Sequence, residues 1–134
     1  MPATNTNGEQ VLEAVVAGPD GANRLYTVTG AANVAVNVSA GQQQTQTWTF
    51  LVGPTFTRGQ FYRAIATASV SSQSAILQTT SGNFTLVVSS VEADWDDESG
   101  RVEVRVEVYL SSSTGGPQLS VNQLRYWVAV LAQI

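Results

Sequence analysis

The stretch from Val102 to Leu110 alternates without a miss, with Val102, Val104, Val106, Val108 and Leu110 at even positions and Glu103, Arg105, Glu107 and Tyr109 between them. Successive side chains of a strand point to opposite faces, so this pattern buries one face and wets the other. On a helix the same five apolar residues would be scattered around the axis. The stretch is therefore a half-buried antiparallel strand, and it needs a sheet around it.

Its hairpin partner precedes it. Phe84, Leu86 and Val88 share one face, but the apolar set continues as Val91, Ala93 and Trp95, a parity change that one extra residue at Ser89–Ser90 produces. A β-bulge is expected there. With Asp97-Glu98-Ser99-Gly100 as the loop, Asp96 meets Arg101 and Glu92 meets Arg105 outside, while Trp95 meets Val102 and Ala93 meets Val104 inside. Asp94 then falls opposite Glu103, a like-charge pair costing a few tenths of a kcal/mol.

Period-two apolar patterning extends along most of the chain, in runs rich in Val, Thr and aromatic residues. Val34, Val36 and Val38 form one run, and Gln46, Trp48, Phe50 and Val52 line one face of the next, with Ser39-Ala40-Gly41 and a Gln42–Gln44 tract between them. A long strand is expected from about Gln60 to Ser71 and a short one from about Ser74 to Thr80, ending at Ser81-Gly82-Asn83. Val11–Ala17, bounded by Gly18-Pro19-Asp20-Gly21, reads as a strand in preference to a short helix. After Gly115-Gly116-Pro117 the last strand runs from about Leu119 almost to Ile134, with Leu124, Tyr126, Val128, Val130 and Ala132 on one face. Its other face carries Trp127, Ala129 and Leu131, so it is apolar on both sides. Such a strand is central or covered by another subunit, which makes Trp127, Ala129 and Leu131 the interface candidates. The expected fold is an all-β antiparallel sandwich of eight or nine strands: residues 9–134 form one domain, preceded by a polar arm over residues 1–8 that another chain holds.

The absence of Cys and His removes disulfides, thiolate nucleophiles, imidazole bases and the Cys/His sets that zinc requires. There is no Lys either, and six Arg face ten acidic residues for a net charge of −4, the wrong sign for neutralising phosphates. Nucleic acid is therefore not expected as a partner. No apolar run approaches the ~20 residues that span a bilayer, and Met1–Asn7 has neither the charge nor the hydropathy of a signal peptide. Neither a membrane nor a cofactor is expected, and the product is expected to be made in a host cytoplasm. The acceptor-like triplets Asn37-Val38-Ser39 and Asn83-Phe84-Thr85 lie in strand-like runs without a leader and read as chance matches. Charged residues make up only 12% of the chain, about half the usual share of roughly 25%, which leaves a surface that invites neighbours.

Asp94-Trp95-Asp96-Asp97-Glu98-Ser99-Gly100 is the one dense cluster of reactive side chains. It departs from the calcium-loop pattern, since its Gly comes one place late and Arg105 stands at the twelfth position, and no metal site is expected. Two carboxylates across a cleft would suit glycoside hydrolysis, and Glu92, Asp94 and Glu103 are the residues that could meet. A solvated hairpin tip is the simpler reading of both. Tyr109 falls on the outward face beside Glu107 and is the aromatic best placed to stack on a sugar ring, which makes Tyr109, Asp94, Asp96 and Asp97 the ligand candidates.

From about Gln46 to Ala132 the order of features resembles the H-type lectin fold, a small β-sandwich that assembles as trimers or hexamers. The residues carrying the likeness are Trp48-Thr49-Phe50, Phe56, Arg63-Ala64-Ile65-Ala66, Asn83 to Val88, Val102 to Val106 and the closing Tyr126-Trp127-Val128-Ala129. The chain is also similar in style to the small structural proteins of tailed phages, such as capsid-decoration, fibre and tail subunits, in its Ala/Ser/Thr/Gly/Gln-rich strands and lack of Cys. These resemblances imply a structural subunit of a virion, homo-oligomeric with a trimer favoured and in contact with other virion proteins, or alternatively a carbohydrate-binding adhesion module that takes a glycan.

Overall fold

The computed structural model describes residues 5–18, 21–76 and 82–133. Seven strands account for the regular structure: β1 (Thr6–Gly18), β2 (Gly21–Val38), β3 (Gln43–Val52), β4 (Phe61–Ile76), β5 (Phe84–Trp95), β6 (Val102–Ser112) and β7 (Gln118–Gln133). They form two antiparallel sheets, one ordered β1-β2-β7-β4 and the other β3-β6-β5. Among the described residues there is no helix.

The alternation of β6 has the predicted consequence: Val102, Val104, Val106, Val108 and Leu110 are all 0% exposed. They join Trp48, Phe50 and Val52 from β3 and meet Val28, Ala32, Leu124, Tyr126, Val128 and Val130 from the other sheet in one buried cluster. The two layers thus share a core. The β5–β6 register is the expected one, pairing Trp95 with Val102, Asp94 with Glu103, Ala93 with Val104 and Glu92 with Arg105, and it shifts between Val88 and Ser90. Ser89 is the extra residue that turns Val91, Ala93 and Trp95 back towards the core. The tip closes with the Asp96 amide donating to Arg101 O and the Gly100 amide to Asp96 O, both 2.8 Å. Gly100 takes φ 71° there, a conformation that disfavours residues with a Cβ.

Two expectations require correction. Among the described residues the strand count is seven, because the run expected over about 60–71 and the described part of the run expected over about 74–80 belong to one strand, β4. The serines between them follow β7 through register shifts at Val70/Ser72 and Ser72/Gln73 in place of a turn. The remainder of the second run, residues 77–80, lies outside the described residues. The boundary expected after residue 8 also falls inside β1. Thr6 and Asn7 already pair with Ala32 and Ala31 of β2, and the Asn33 amide donates to Asn5 O at 2.9 Å. The chain's own sheet therefore engages Asn5, Thr6 and Asn7; Met1–Thr4 lie outside the described residues.

Candidate functional site

Because directly paired residues share a face, the register lays out the outer surface of the four-stranded sheet row by row. One row runs Leu12, Thr27, Ala129, Ile65; the next Ala14, Leu25, Leu131, Arg63; and a third Gln10, Thr29, Trp127, Thr67. Trp127, Ala129 and Leu131 therefore stand on this outer face, opposite the side that Val128, Val130 and Ala132 bury. β7 is central between β2 and β4, which satisfies its backbone, yet Trp127 remains 43% exposed, near Ile65 at 57% on β4, with Leu12 at 72% two strands away on β1. At about 4.8 Å between strands and 3.4 Å per residue, the three rows cover on the order of 400 Å², with Leu12, Ala14, Leu25, Ile65, Trp127, Ala129 and Leu131 forming a connected apolar stripe among Gln10, Thr27, Thr29, Thr67 and Arg63. Arg63, and Arg125 one row beyond Trp127, are both exposed and have no ion-pair partner among the described residues.

The other sheet presents a different outer face. Its rows are Leu51, Glu103, Asp94; Thr49, Arg105, Glu92; Thr47, Glu107, Ser90; and Thr45, Tyr109, Val87. Tyr109 is less exposed than expected, because β6 is the middle strand and Thr45 and Val87 flank the ring on both sides. Its hydroxyl donates to Gln43 Oε1 at 3.1 Å. Among the described residues the open aromatics are Phe84 at the start of β5, Tyr62, 48% exposed, and Trp127.

The acidic candidates do not converge on one place. Asp94 lines a cleft of about 390 Å³ with Arg58, Phe61, Tyr62 and Trp95. Asp96, Glu98 and Glu103 line another of about 560 Å³ with Asn5, Thr6 and Arg101. Asp97 is exposed at the tip. Among the described residues no three acidic groups are arranged to hold a metal ion. Hydrogen bonds from the Ser99 hydroxyl and amide hold the Asp96 carboxyl below the usual aspartate range, as part of the turn itself.

In the smaller cleft, Tyr62 occupies the register shift between Phe61 and Arg63, and a bulge of this kind re-aims a side chain. The Arg58 guanidinium lies 5.6 Å from the Trp95 ring centroid, and the Trp95 indole N–H donates to Phe56 O and Gly100 O. The sequence signal for this cleft was the Phe61-Tyr62 doublet, which breaks the alternation of β4.

A polar knot that the sequence did not reveal is centred on Glu9. Its Oε1 accepts from the Gly53 amide at 3.1 Å and the Tyr126 hydroxyl at 3.2 Å, and its Oε2 lies 3.6 Å from the Arg101 guanidinium. Arg101 also donates to Gly53 O at 2.9 Å. Burial, with the Glu9 charge adding to it, pushes the Tyr126 phenol up to about 12. These groups satisfy one another and tie β1, β7 and the ends of β3 and β6 together, a structural fastening. No protein-family model, curated protein or solved structure matches this chain.

Proposed function

We propose that this chain is a non-enzymatic structural subunit of a phage-like virion, a β-sandwich that packs as a homo-oligomer and against other virion proteins. The observation that carries the reading is the contiguous apolar outer face of the four-stranded sheet, centred on Trp127, Ala129, Leu131, Leu12 and Ile65. Leaving each large side chain in water forgoes roughly 1.5–3 kcal/mol of burial, and association recovers it. Subunits that hold a particle together need area more than a pocket, and the carboxylates here are dispersed over two clefts and an open tip. Sedimentation of the purified protein tests the reading. The wild type should self-associate, and Trp127→Ser should weaken association by roughly thirtyfold, the effect of losing a central aromatic contact of about 2 kcal/mol. A wild type that stays monomeric into the millimolar range overturns self-packing.

A second reading, a carbohydrate-binding adhesion module, is favoured by the Tyr62 cleft. The open Tyr62 ring stands beside the Asp94 carboxylate, whose Oδ1 accepts from the Trp95 amide, and the Arg58 guanidinium, which lies over the Trp95 ring. The Tyr62 hydroxyl has no hydrogen-bond partner among the described residues. A sugar ring uses a stacking surface of this kind with polar groups at its edge. A glycan array with Tyr62→Ala and Tyr109→Ala variants separates the possibilities: binding lost only in Tyr62→Ala assigns the cleft, and an absence of binding by the wild type removes this reading.

A further inference from the structure

The two outer faces of the molecule are opposite in charge. On the four-stranded sheet the outward strand positions Gln10, Leu12, Ala14, Val16, Asn23, Leu25, Thr27 and Thr29 on β1 and β2 carry no charge. Those on β7 and β4 include Arg125 and Arg63 and no carboxylate. On the three-stranded sheet the outward positions of β5 and β6 carry Glu92, Asp94, Glu103 and Glu107 against the single cation Arg105. Resting on the assembly reading above, we infer that these faces are the two halves of one contact. The apolar, arginine-bearing face of one copy seats on the acidic face of the next.

Charge and dimensions both support this pairing. In a symmetric contact between two four-stranded faces, four arginines would enter without a carboxylate, whereas the acidic face supplies their counter-charges. Arg125 and Leu131, whose row holds Arg63, are six residues apart on β7, about 20 Å at 3.4 Å per residue. Glu103 and Glu107 are four residues apart on β6, about 14 Å by the same rise. Two arginine side chains leaning inward span the difference. Leu51, Val87, Tyr109 and the methyl groups of Thr45, Thr47 and Thr49 offer Trp127 and Leu131 apolar ground between the charges.

A contact that joins two different surfaces of one chain is heterologous and repeats until it closes or runs on. Here the two surfaces are the opposite sides of a two-layer domain, so copies stack in line. The product is a column or fibre in place of a trimer, which would need the two surfaces inclined towards each other. Paired charge reversals test this with the full chain. Arg63→Glu with Arg125→Glu makes both faces acidic, and Glu103→Arg with Glu107→Arg makes both arginine-bearing. Each variant alone should lose self-association at concentrations where the wild type stacks, and an equimolar mixture should regain it. Arg63, Arg125 and Glu103 are exposed, Glu107 is half-buried and accepts from the Ser89 hydroxyl at 2.9 Å, and the tryptophan emission spectrum reports whether each variant folds. Raising salt on the wild type gives a check that needs no substitution, and it should slow stacking by screening the arginine–carboxylate attraction. If Glu103→Arg/Glu107→Arg assembles like the wild type while Trp127→Ser does not, the face-to-back contact is overturned and the assembly reading survives. A discrete trimer overturns the column in the same way, and a wild type that is monomeric throughout removes both.

Discussion

β6 and β1 have comparable shares of apolar residues and meet opposite fates. Every even position of β6 from Val102 to Leu110 is sealed in the core, while β1 leaves Leu12 72% and Val15 67% exposed. The difference lies in the spacing. β6 alternates apolar with polar residues, which gives it an inside and an outside, and it sits between β3 and β5. β1 doubles its apolar residues as Val11-Leu12 and Val15-Val16, which puts them on both faces, and it ends the sheet with β2 as its one neighbour. Alternation tells a strand where the core is. Doubling at an edge creates demand for surface that the fold does not supply, and edges of this kind attract further chains unless charges or bulges blunt them. β1 has both, in Glu9, Glu13 and the register shift between Asn7 and Gln10.

The comparison breaks most directly by truncating one leucine from each strand. Leu110→Ala should lower the unfolding free energy by about 2–5 kcal/mol, whereas Leu12→Ala in dilute monomer should stay within about 0.5 kcal/mol. Urea denaturation measures both, and similar losses would erase the distinction. Gly30 comes next: a Cβ on this residue of β2 would collide with the Tyr126 hydroxyl and ring. Gly30→Ala should cost about 1–3 kcal/mol, read as a lower urea midpoint at unchanged slope. The Tyr126 phenol itself supplies a pH test. Its folded pKa is raised from 10 to about 12, so the folded state holds the proton longer and its contribution is fully present below pH 10. Stability should fall as pH rises from 10 towards 12, and ultraviolet titration should show one tyrosine ionising late, a feature that Tyr126→Phe removes. The smallest effect concerns the wet face of the hairpin. Asp94→Asn relieves the like-charge pair with Glu103 and should stabilise the fold by a few tenths of a kcal/mol, visible as a slight rise in melting temperature.

Local pattern explains what could be read from the sequence and what could not. The β5–β6 hairpin was legible to the residue, including the bulge at Ser89, because register, parity and turn all lie within one short segment. The serines at 71, 72 and 74 looked like a break, but pairing with the distant β7 carries β4 through them. Thr6 and Asn7 have weak strand character of their own and are drawn in by β2. At the candidate interface, the two-sided apolarity of β7 pointed to Trp127, Ala129 and Leu131. Their neighbours Leu25 and Ile65, and Leu12 one strand further out, were invisible as such, since only the order β1-β2-β7-β4 brings them onto one face. The Glu9 knot was hidden for the same reason: its partner Tyr126 is 117 residues away along the chain.

That strand order also governs when the molecule can form. β7 occupies the slot between β2 and β4, so the wider sheet has a gap in its middle until the ribosome has delivered residues 118–133. Until then β2 and β4 each present an unpaired edge, while the β5–β6 hairpin can already close on itself. Folding should therefore wait for the last strand, and contacts this distant along the chain fold slowly and leave exposed edges open to other chains. A nascent chain arrested before β7 should be sensitive to protease over β2 and β4, and emergence of the sixteen-residue β7 should convert it to the resistant form in one step.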